Sequence, residues 1–278
     1  MSRPIPSRWK PYPGDDALGG ISLFQKRTLA PELRNFRNIL VALPPTYHEN
    51  PTRHYPVVYM QDGQNLFDPA TSFAGAWQLG HTLADAAAQG IEAIVVGVAN
   101  AKRRRLYEYS PFPDRRLGGG GGDRYLAFLT DTLKPAVDRD FRTLPAREST
   151  TIAGSSMGGL ISLYAVYRRA DIFGAAAALS PSLWFANRSV LQFVARCRPE
   201  LPPRLYLDIG LSEPPGAIAD VRALRGYLLT EGYREGAGFD YLEDEAGGHD
   251  EGTWGRRSAR ALEFLLRPPS SSGDGPLG

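Results

Sequence analysis

The stretch TTIAGSSMGGL, from Thr150 to Leu160, sets two serines side by side in a glycine cluster. A serine hydroxyl becomes a competent nucleophile when a sharp strand-to-helix turn exposes it and a neighbouring base takes its proton. At such a turn the residues two before and two after the nucleophile crowd together and must be tiny. Ser156 has Gly154 and Gly158 in those places, whereas Ser155 has Ala153 and Met157. The spacing therefore selects Ser156. The N–H of Met157, first in the expected helix, is a donor for a developing oxyanion, because the opening amides of a helix lack intrahelical acceptors. A second donor is expected from the turn after an earlier strand. YMQDGQNLFD supplies such a turn, with Gly63 letting the chain bend and the N–H of Gln64 facing the substrate oxygen. The alternative is an ordinary Asp-Gly turn.

Histidine is the base suited to neutral pH, and the chain has four. His48 and His54 fall in the polar loop TYHENPTRHYP, and His81 falls in a helical stretch. His249, in EAGGHDEGTW, follows the last strand and precedes the last helix, where a base belongs if the chain order is serine, acid, histidine. The acid then belongs after the strand RLYLDIG. Glu213, three residues past Gly210, is favoured. Asp208 sits inside the strand, and Asp220 is expected in the first turn of the next helix, where the helix dipole already accounts for an acid. A serine–histidine dyad with no acid stays open.

These residues need a scaffold, and the chain alternates strand-like and helix-like segments. RNILVALPP, YPVVYMQDG, IEAIVVGVAN, STTIAGS, GAAAALSPS, RLYLDIG and GFDYLEDEA read as strands. Between them lie AWQLGHTLADAAAQG, closing on Gly90, and DRYLAFLTDTLKPAVDRDF, with Asp123 as N-cap and Pro135 as a break or kink. MGGLISLYAVYRR is apolar nearly all round and so deeply buried. The helix around Cys197, AIADVRALRGYLLTEGY and GTWGRRSARALEFLL complete the series, the last with Trp254, Ala261, Leu262 and Leu265 on one side. Alternation of this kind predicts a mostly parallel sheet covered on both faces, with ligands beyond the carboxyl ends of the strands. We expect one domain over residues 21–267, an N-terminal arm at 1–20 and a disordered tail at 268–278.

Composition narrows the partners. The 278 residues carry 32 Lys and Arg against 30 Asp and Glu, a net +2 that makes no case for nucleic acid. The single Cys197 allows no internal disulfide and reads as a small core residue. No stretch is long and apolar enough to span a bilayer, and the first twenty residues lack the apolar run of a signal peptide, so the expectation is a cytoplasmic protein. KRRR at 102–105 could attract an anionic substrate but reads better as a solvated loop, with Arg105 pairing Glu108. GGGGG at 118–122 lacks the ending of a phosphate loop and is expected to be a flexible loop near the mouth of the site. No Cys/His cluster has metal-ligand spacing, and no metal or cofactor is implied.

Taken together, YPVVYMQDGQNLFD, NAKRRRLYEYSP, FLTDTLKPAVDRDFRT, TTIAGSSMGGLISLYA, LSPSLWF and GGHDEGTW resemble the putative-esterase family of α/β-hydrolases. That group takes in ferric enterobactin esterases, esterase D-type enzymes, some xylan-acetyl and feruloyl esterases, and the mycolyltransferases. The resemblance covers about residues 21–267. It implies an α/β-hydrolase fold, Ser156 as nucleophile, His249 as base, Met157 and Gln64 as oxyanion donors, and Trp184 beside the acyl or alcohol pocket. Glu213 carries over less securely, because relatives vary in the loop LSEPPGA. The expected activity is hydrolysis of a small-molecule carboxylic ester: siderophore, acetylated carbohydrate or simple ester. An acyltransferase using the same residues and a non-catalytic scaffold are the rivals, and a peptidase lacks the added domain or lid it would need.

Overall fold

The β-branched and aliphatic runs of the chain are too apolar to face water on either side, and they stack into the centre of a single sheet. The computed structural model describes residues 4–13, 20–72 and 75–267. Among these the strands are β1 (Lys10–Pro11), β2 (Ser22–Ala30), β3 (Asn35–Leu43), β4 (Val57–Gln61), β5 (Ile94–Val98), β6 (Thr150–Ser155), β7 (Ala175–Leu179), β8 (Arg204–Gly210) and β9 (Phe239–Asp244). The helices are α1 (Leu79–Ala88), α2 (Arg105–Glu108), α3 (Gly122–Ala127), α4 (Lys134–Asp140), α5 (Met157–Arg168), α6 (Phe185–Arg196), α7 (Pro215–Thr230) and α8 (Glu251–Leu266). The sheet order is β1-β2-β3-β5-β4-β6-β7-β8-β9. Pairing is antiparallel from β1 through β3 to β5 and parallel from β5 onward. A mixed, largely parallel sheet between helical layers is the α/β-hydrolase architecture.

Side-chain alternation along the central strands divides the interior into two cores. Val57, Tyr59, Ile94, Val96 and Ile152 face the layer made by α3 to α7. Val58, Met60, Val95 and Ala153 face α1 and α8. In β7 all side chains but one are alanine, Ala176 and Ala178 facing one core and Ala175 and Ala177 the other. Small side chains on both faces let α5 and α8 approach the sheet closely at the strand beside β6.

Several local expectations change. The antiparallel strands β1 and β2 went unread, because Ser22–Ala30 mixes Gln25, Lys26 and Arg27 into its apolar positions, as a strand outside the parallel core can. The described part of the expected arm pairs through Lys10 with Gln25 and buries Trp9. Residues 1–3 and 14–19 and the expected tail at 268–278 lie outside the described residues. Asp123 does not cap a helix: Gly121 holds that place, and Asp123 accepts a hydrogen bond from the Tyr164 hydroxyl at 2.5 Å. At Pro135 the coil changes pitch rather than ending: a π-helical stretch, Phe128–Leu133, leads directly into α4 at Lys134, and the proline without an N–H falls in the first turn after that change. The glycine run is no free flap. Gly120 and Gly122 donate backbone bonds to the Ser110 carbonyl, and side chains at Gly119, Gly121 and Gly122 would collide with Phe112, Tyr107 and Pro111. Among the described residues no helix is long and apolar enough to cross a membrane.

Candidate active site

The carboxyl ends of β4, β6, β7, β8 and β9 converge, and each ends in a turn that carries one of the polar residues of interest. After β6, Ser156 adopts φ 57° and ψ −123°, a backbone conformation that L-residues avoid unless their surroundings impose it. The glycines make that turn possible. A Cβ added at Gly154 would sit 2.8 Å from the backbone of Gly158, and one at Gly158 would sit 2.9 Å from Gln61 Cβ. Ser156 N–H bonds the Leu179 carbonyl at 2.9 Å, and its own carbonyl accepts from Ser182 N–H at 3.0 Å, tying the turn to the end of β7. Met157 opens α5, so its N–H has no carbonyl four residues back within a helix. Ser155, by contrast, is the last residue of β6, buried and paired in register with Leu179.

The acid and the histidine meet because two loops pack backbone to backbone. Leu211 N–H bonds the Asp244 carbonyl at 2.9 Å and Ser212 N–H bonds the Gly247 carbonyl at 3.0 Å. A side chain at Gly210 would strike the Gly247 carbonyl. That contact brings His249 Nδ1 to 2.7 Å from Glu213 Oε2, while His249 Nε2 lies 3.0 Å from Ser156 Oγ. The imidazole also stands edge-on to Trp254, with ring centroids 4.8 Å apart. Glu213 is almost wholly shielded, at 1% side-chain exposure, whereas His249 is 41% exposed. Burial pushes the Glu213 carboxyl upward. Hydrogen bonds from His249, from the Ser180 hydroxyl and from Gly210 N–H outweigh that push and leave it below the usual glutamate value.

Of the other acids, Asp208 accepts from Ser180 N–H at 2.9 Å and faces Arg257, away from the histidine. Asp220 lies in the second turn of α7, since Pro215 starts that helix earlier than expected, and it pairs with Arg188 at 2.6 Å.

Gln64 sits in the turn after β4, where Gln61 and Asp62 abut Gly158 of the serine turn. The left-handed residue there is Asp62, with φ 53°, rather than Gly63. Gly63 is needed for another reason: its Cβ would lie 2.5 Å from the backbone of Gly97 in β5. The turn is anchored by Arg105, which grips Asp62 with two bonds of 2.9 and 2.7 Å, by Asn100, which donates to Asp62 at 2.6 Å, and by Tyr109, whose hydroxyl accepts from Asp62 N–H. Arg105 therefore does not pair Glu108, which is buried against Arg37 instead. Gln64 Oε1 accepts from Asn100 N–H at 3.0 Å, leaving the Gln64 side chain committed and its main chain fixed.

Trp184, 47% exposed, follows Ser182 by two residues, with its ring 5.9 Å from that of Phe185. Ser182 Oγ is 3.2 Å from Ser156 Oγ. Ser180 and Ser182 fall within LSPSLWF and Trp254 within GGHDEGTW, but nothing in those stretches points to what Ser182 touches or to the group that Ser180, Arg257 and Trp254 form behind Glu213. Arg257 does leave one trace: it falls on the apolar stripe of α8 with Trp254 and Ala261, where a surface arginine has no place.

The chain resembles known proteins in sequence and in fold. An uncharacterized Bacillus subtilis protein, YbbA, is 27% identical over 194 residues, spanning 68% of this chain and 73% of that protein. The siderophore triacetylfusarinine C esterase of Aspergillus fumigatus is 32% identical over 143 residues, covering 49% of this chain and 47% of its own length. The match thus spans about half of that esterase. Among solved structures, the enterobactin esterase of Shigella flexneri superposes with a TM-score of 0.70 at 19% identity, covering 87% of this chain and 58% of that one. An IroE-like serine hydrolase of Shewanella oneidensis gives 0.69 at 24% identity, covering 87% and 79%. A family model described as Putative esterase matches residues 30–264, and the chain belongs to that family.

Proposed function

We propose that the protein is a serine carboxylic ester hydrolase that works through an acyl-enzyme on Ser156. The observation that carries this reading is the unbroken polar chain from Ser156 Oγ through His249 to Glu213, with separations of 3.0 and 2.7 Å. With Nδ1–H donating to Glu213, Nε2 accepts the Ser156 proton as Oγ attacks the ester carbonyl. The oxyanion rests on the N–H groups of Met157 and Gln64. His249 then protonates the leaving alcohol, and water releases the acid by the same steps. With the Ser156 proton directed at His249, the Ser182 hydroxyl donates to Ser156 Oγ. Trp184 borders the pocket for the acyl or alcohol group. Siderophore esterases among the relatives support a small-molecule ester as substrate, the siderophore, acetylated-carbohydrate and simple-ester classes all being served by this chemistry.

The test is turnover of short aryl esters together with fluorophosphonate labelling. Ser156→Ala is expected to lose labelling and to cut kcat by at least about a thousandfold while melting like the wild type. Undiminished turnover in that variant sinks the assignment. Product analysis with an added sugar or alcohol acceptor separates hydrolysis from acyl transfer.

A further inference from the structure

Ser180 is the residue immediately after β7, and it holds a left-handed backbone conformation with φ 41°. Glycine would adopt that conformation more easily than serine. The Ser180 side chain and N–H are held by a set of hydrogen bonds. Its N–H is bound by both the carbonyl and the carboxylate of Asp208, at 3.1 and 2.9 Å. Its hydroxyl, in a residue only 1% exposed, is surrounded by three partners. Trp254 Nε1 lies at 3.1 Å and Arg257 Nη2 at 2.8 Å, and both are donors only. The third partner is Glu213 Oε1, an acceptor.

A hydroxyl has one proton and two lone pairs. With both lone pairs taken by the indole and the guanidinium, the proton has one direction left, toward Glu213. We propose that Ser180, clamped by Trp254 and Arg257, is a positioning residue that fixes the carboxylate of Glu213 so that its other oxygen meets His249. This rests on the reading of Glu213 as the acid of the site. Arg257 is itself held by Asp208 at 3.2 Å, with side-chain exposures of 3% and 0% for the pair. A row of side chains thus runs from the buried end of β8 to the nucleophile: Asp208, Arg257, Ser180, Glu213, His249, Ser156. Each oxygen of Glu213 has its own task, Oε1 taking Ser180 and Gly210 N–H, and Oε2 taking the histidine.

The arrangement also sets how strongly Glu213 acts on the imidazole. A carboxylate whose charge is shared with a hydroxyl and an amide stabilises an adjacent imidazolium less than one that faces it alone. The charged and titratable groups facing Glu213 are His249 from the β9–α8 loop, Arg257 from α8 at 4.0 Å and Asp208 from β8. Asp244, at the end of β9, lies 4.0 Å from Arg257, and Tyr206 of β8 faces Asp208. Removing the Ser180 proton donor changes a neutral side chain that touches the carboxylate and leaves these charged groups and the Gly210 N–H in place.

The experiment is the pH profile of kcat/KM for a short aryl ester with Ser180→Ala and Ser180→Cys, alongside Glu213→Gln. The thiol variant keeps nearly the same volume with a weak donor, so it reports on the bond even where the alanine variant folds poorly. For both variants kcat is expected to fall on the order of tenfold with KM little changed. The acidic limb of the profile is expected to move upward by roughly half a pH unit, because Glu213 then acts on the imidazolium with less of its charge shared. A profile that keeps its acidic limb, whether or not kcat falls, overturns the positioning role and leaves Ser180 a packing residue. If Glu213→Gln itself has wild-type turnover, the reading of Glu213 as the acid fails. If Glu213→Gln is impaired while both Ser180 variants keep the wild-type profile, the positioning inference alone fails.

Discussion

Asp208 is wholly buried in β8, and burial pushes its carboxyl up to about 7, with Arg257 and the Ser180 N–H offsetting only part of the penalty. A carboxyl that titrates near 4 when unfolded and near 7 when folded binds an extra proton in the native state between those values. Its contribution to stability is complete below the unfolded value and is lost as pH rises through about 7. Glu213 runs the other way: its lowered folded value contributes stability above the ordinary glutamate range, lost as pH falls through that lower value. Asp208→Asn cannot ionise, so its melting temperature is expected to fall less between pH 5 and pH 8 than that of the wild type. Parallel curves of melting temperature against pH for the two proteins would show that Asp208 carries no such linkage. At this scale the sequence was informative where chemistry imposes a local rule. Two glycines two residues either side of a serine mark the strained turn, and the order serine, acid, histidine points to Glu213 and His249, which the fold brings together. Ser180 and Ser182 obey no local rule. The partners of Ser180 come from β8, the loop after it and α8, and that of Ser182 from the serine turn, all distant in the chain, so no spacing within LSPSLWF encodes what either serine touches.

The β4–α1 turn shows how an element can be required by its neighbour. YMQDGQNLFD looks like a turn that needs a glycine for its φ angle, yet the left-handed residue is Asp62. Gly63 is instead pressed on the backbone of β5, with no room for a Cβ between it and Gly97. That contact comes from strand order, β5 lying beside β4, and no spacing within the turn encodes it. Gly63→Ala is therefore expected to displace the turn and the N–H of Gln64 while sparing Ser156 and His249. With Gln64 N–H in the oxyanion role proposed above, its loss is expected to lower kcat by about a hundredfold. The reciprocal change Gly97→Ala meets first the end of the Leu66 side chain, at 3.0 Å, and should cost much less. Equal kcat for Gly63→Ala and wild type would remove Gln64 from the oxyanion site. The glycine run at 118–122 teaches the same lesson: its composition suggests mobility, but Gly118, Gly119 and Gly120 hold positive φ, and Gly119, Gly121 and Gly122 leave no room for a Cβ against Phe112, Tyr107 and Pro111.

At the scale of the molecule, β3 and the central parallel strands are legible because they read as apolar runs, and the half-exposed β9 because it falls in place in the alternating series. β1 and β2 are not, because β2 carries charged residues and its register depends on partners on either side. The least expected part is the segment before β2. Trp9 is 3% exposed, its indole N–H bonds Asp140 at 2.9 Å, and its ring meets Phe141 edge-on at 5.0 Å. Arg8 reaches the same carboxylate, and Lys26 sits 5.2 Å over the indole. Residues 8 and 9 thus join β2 to the end of α4, two parts of the chain that β3 and the parallel strands otherwise hold apart in sequence. An indole buried to this degree stabilises by its area and by its hydrogen bond, and its removal leaves a cavity and one fewer donor to the buried Asp140. Trp9→Ala is expected to destabilise the protein by roughly 3–5 kcal/mol while leaving KM for a short ester unchanged, because its side chain meets Lys26, Asp140 and Phe141, none of which belongs to the candidate site. Calorimetric melting of the variant measures the loss. A melting temperature equal to that of the wild type would mean that the segment merely lies on the surface, and that β2 holds the edge of the sheet without it.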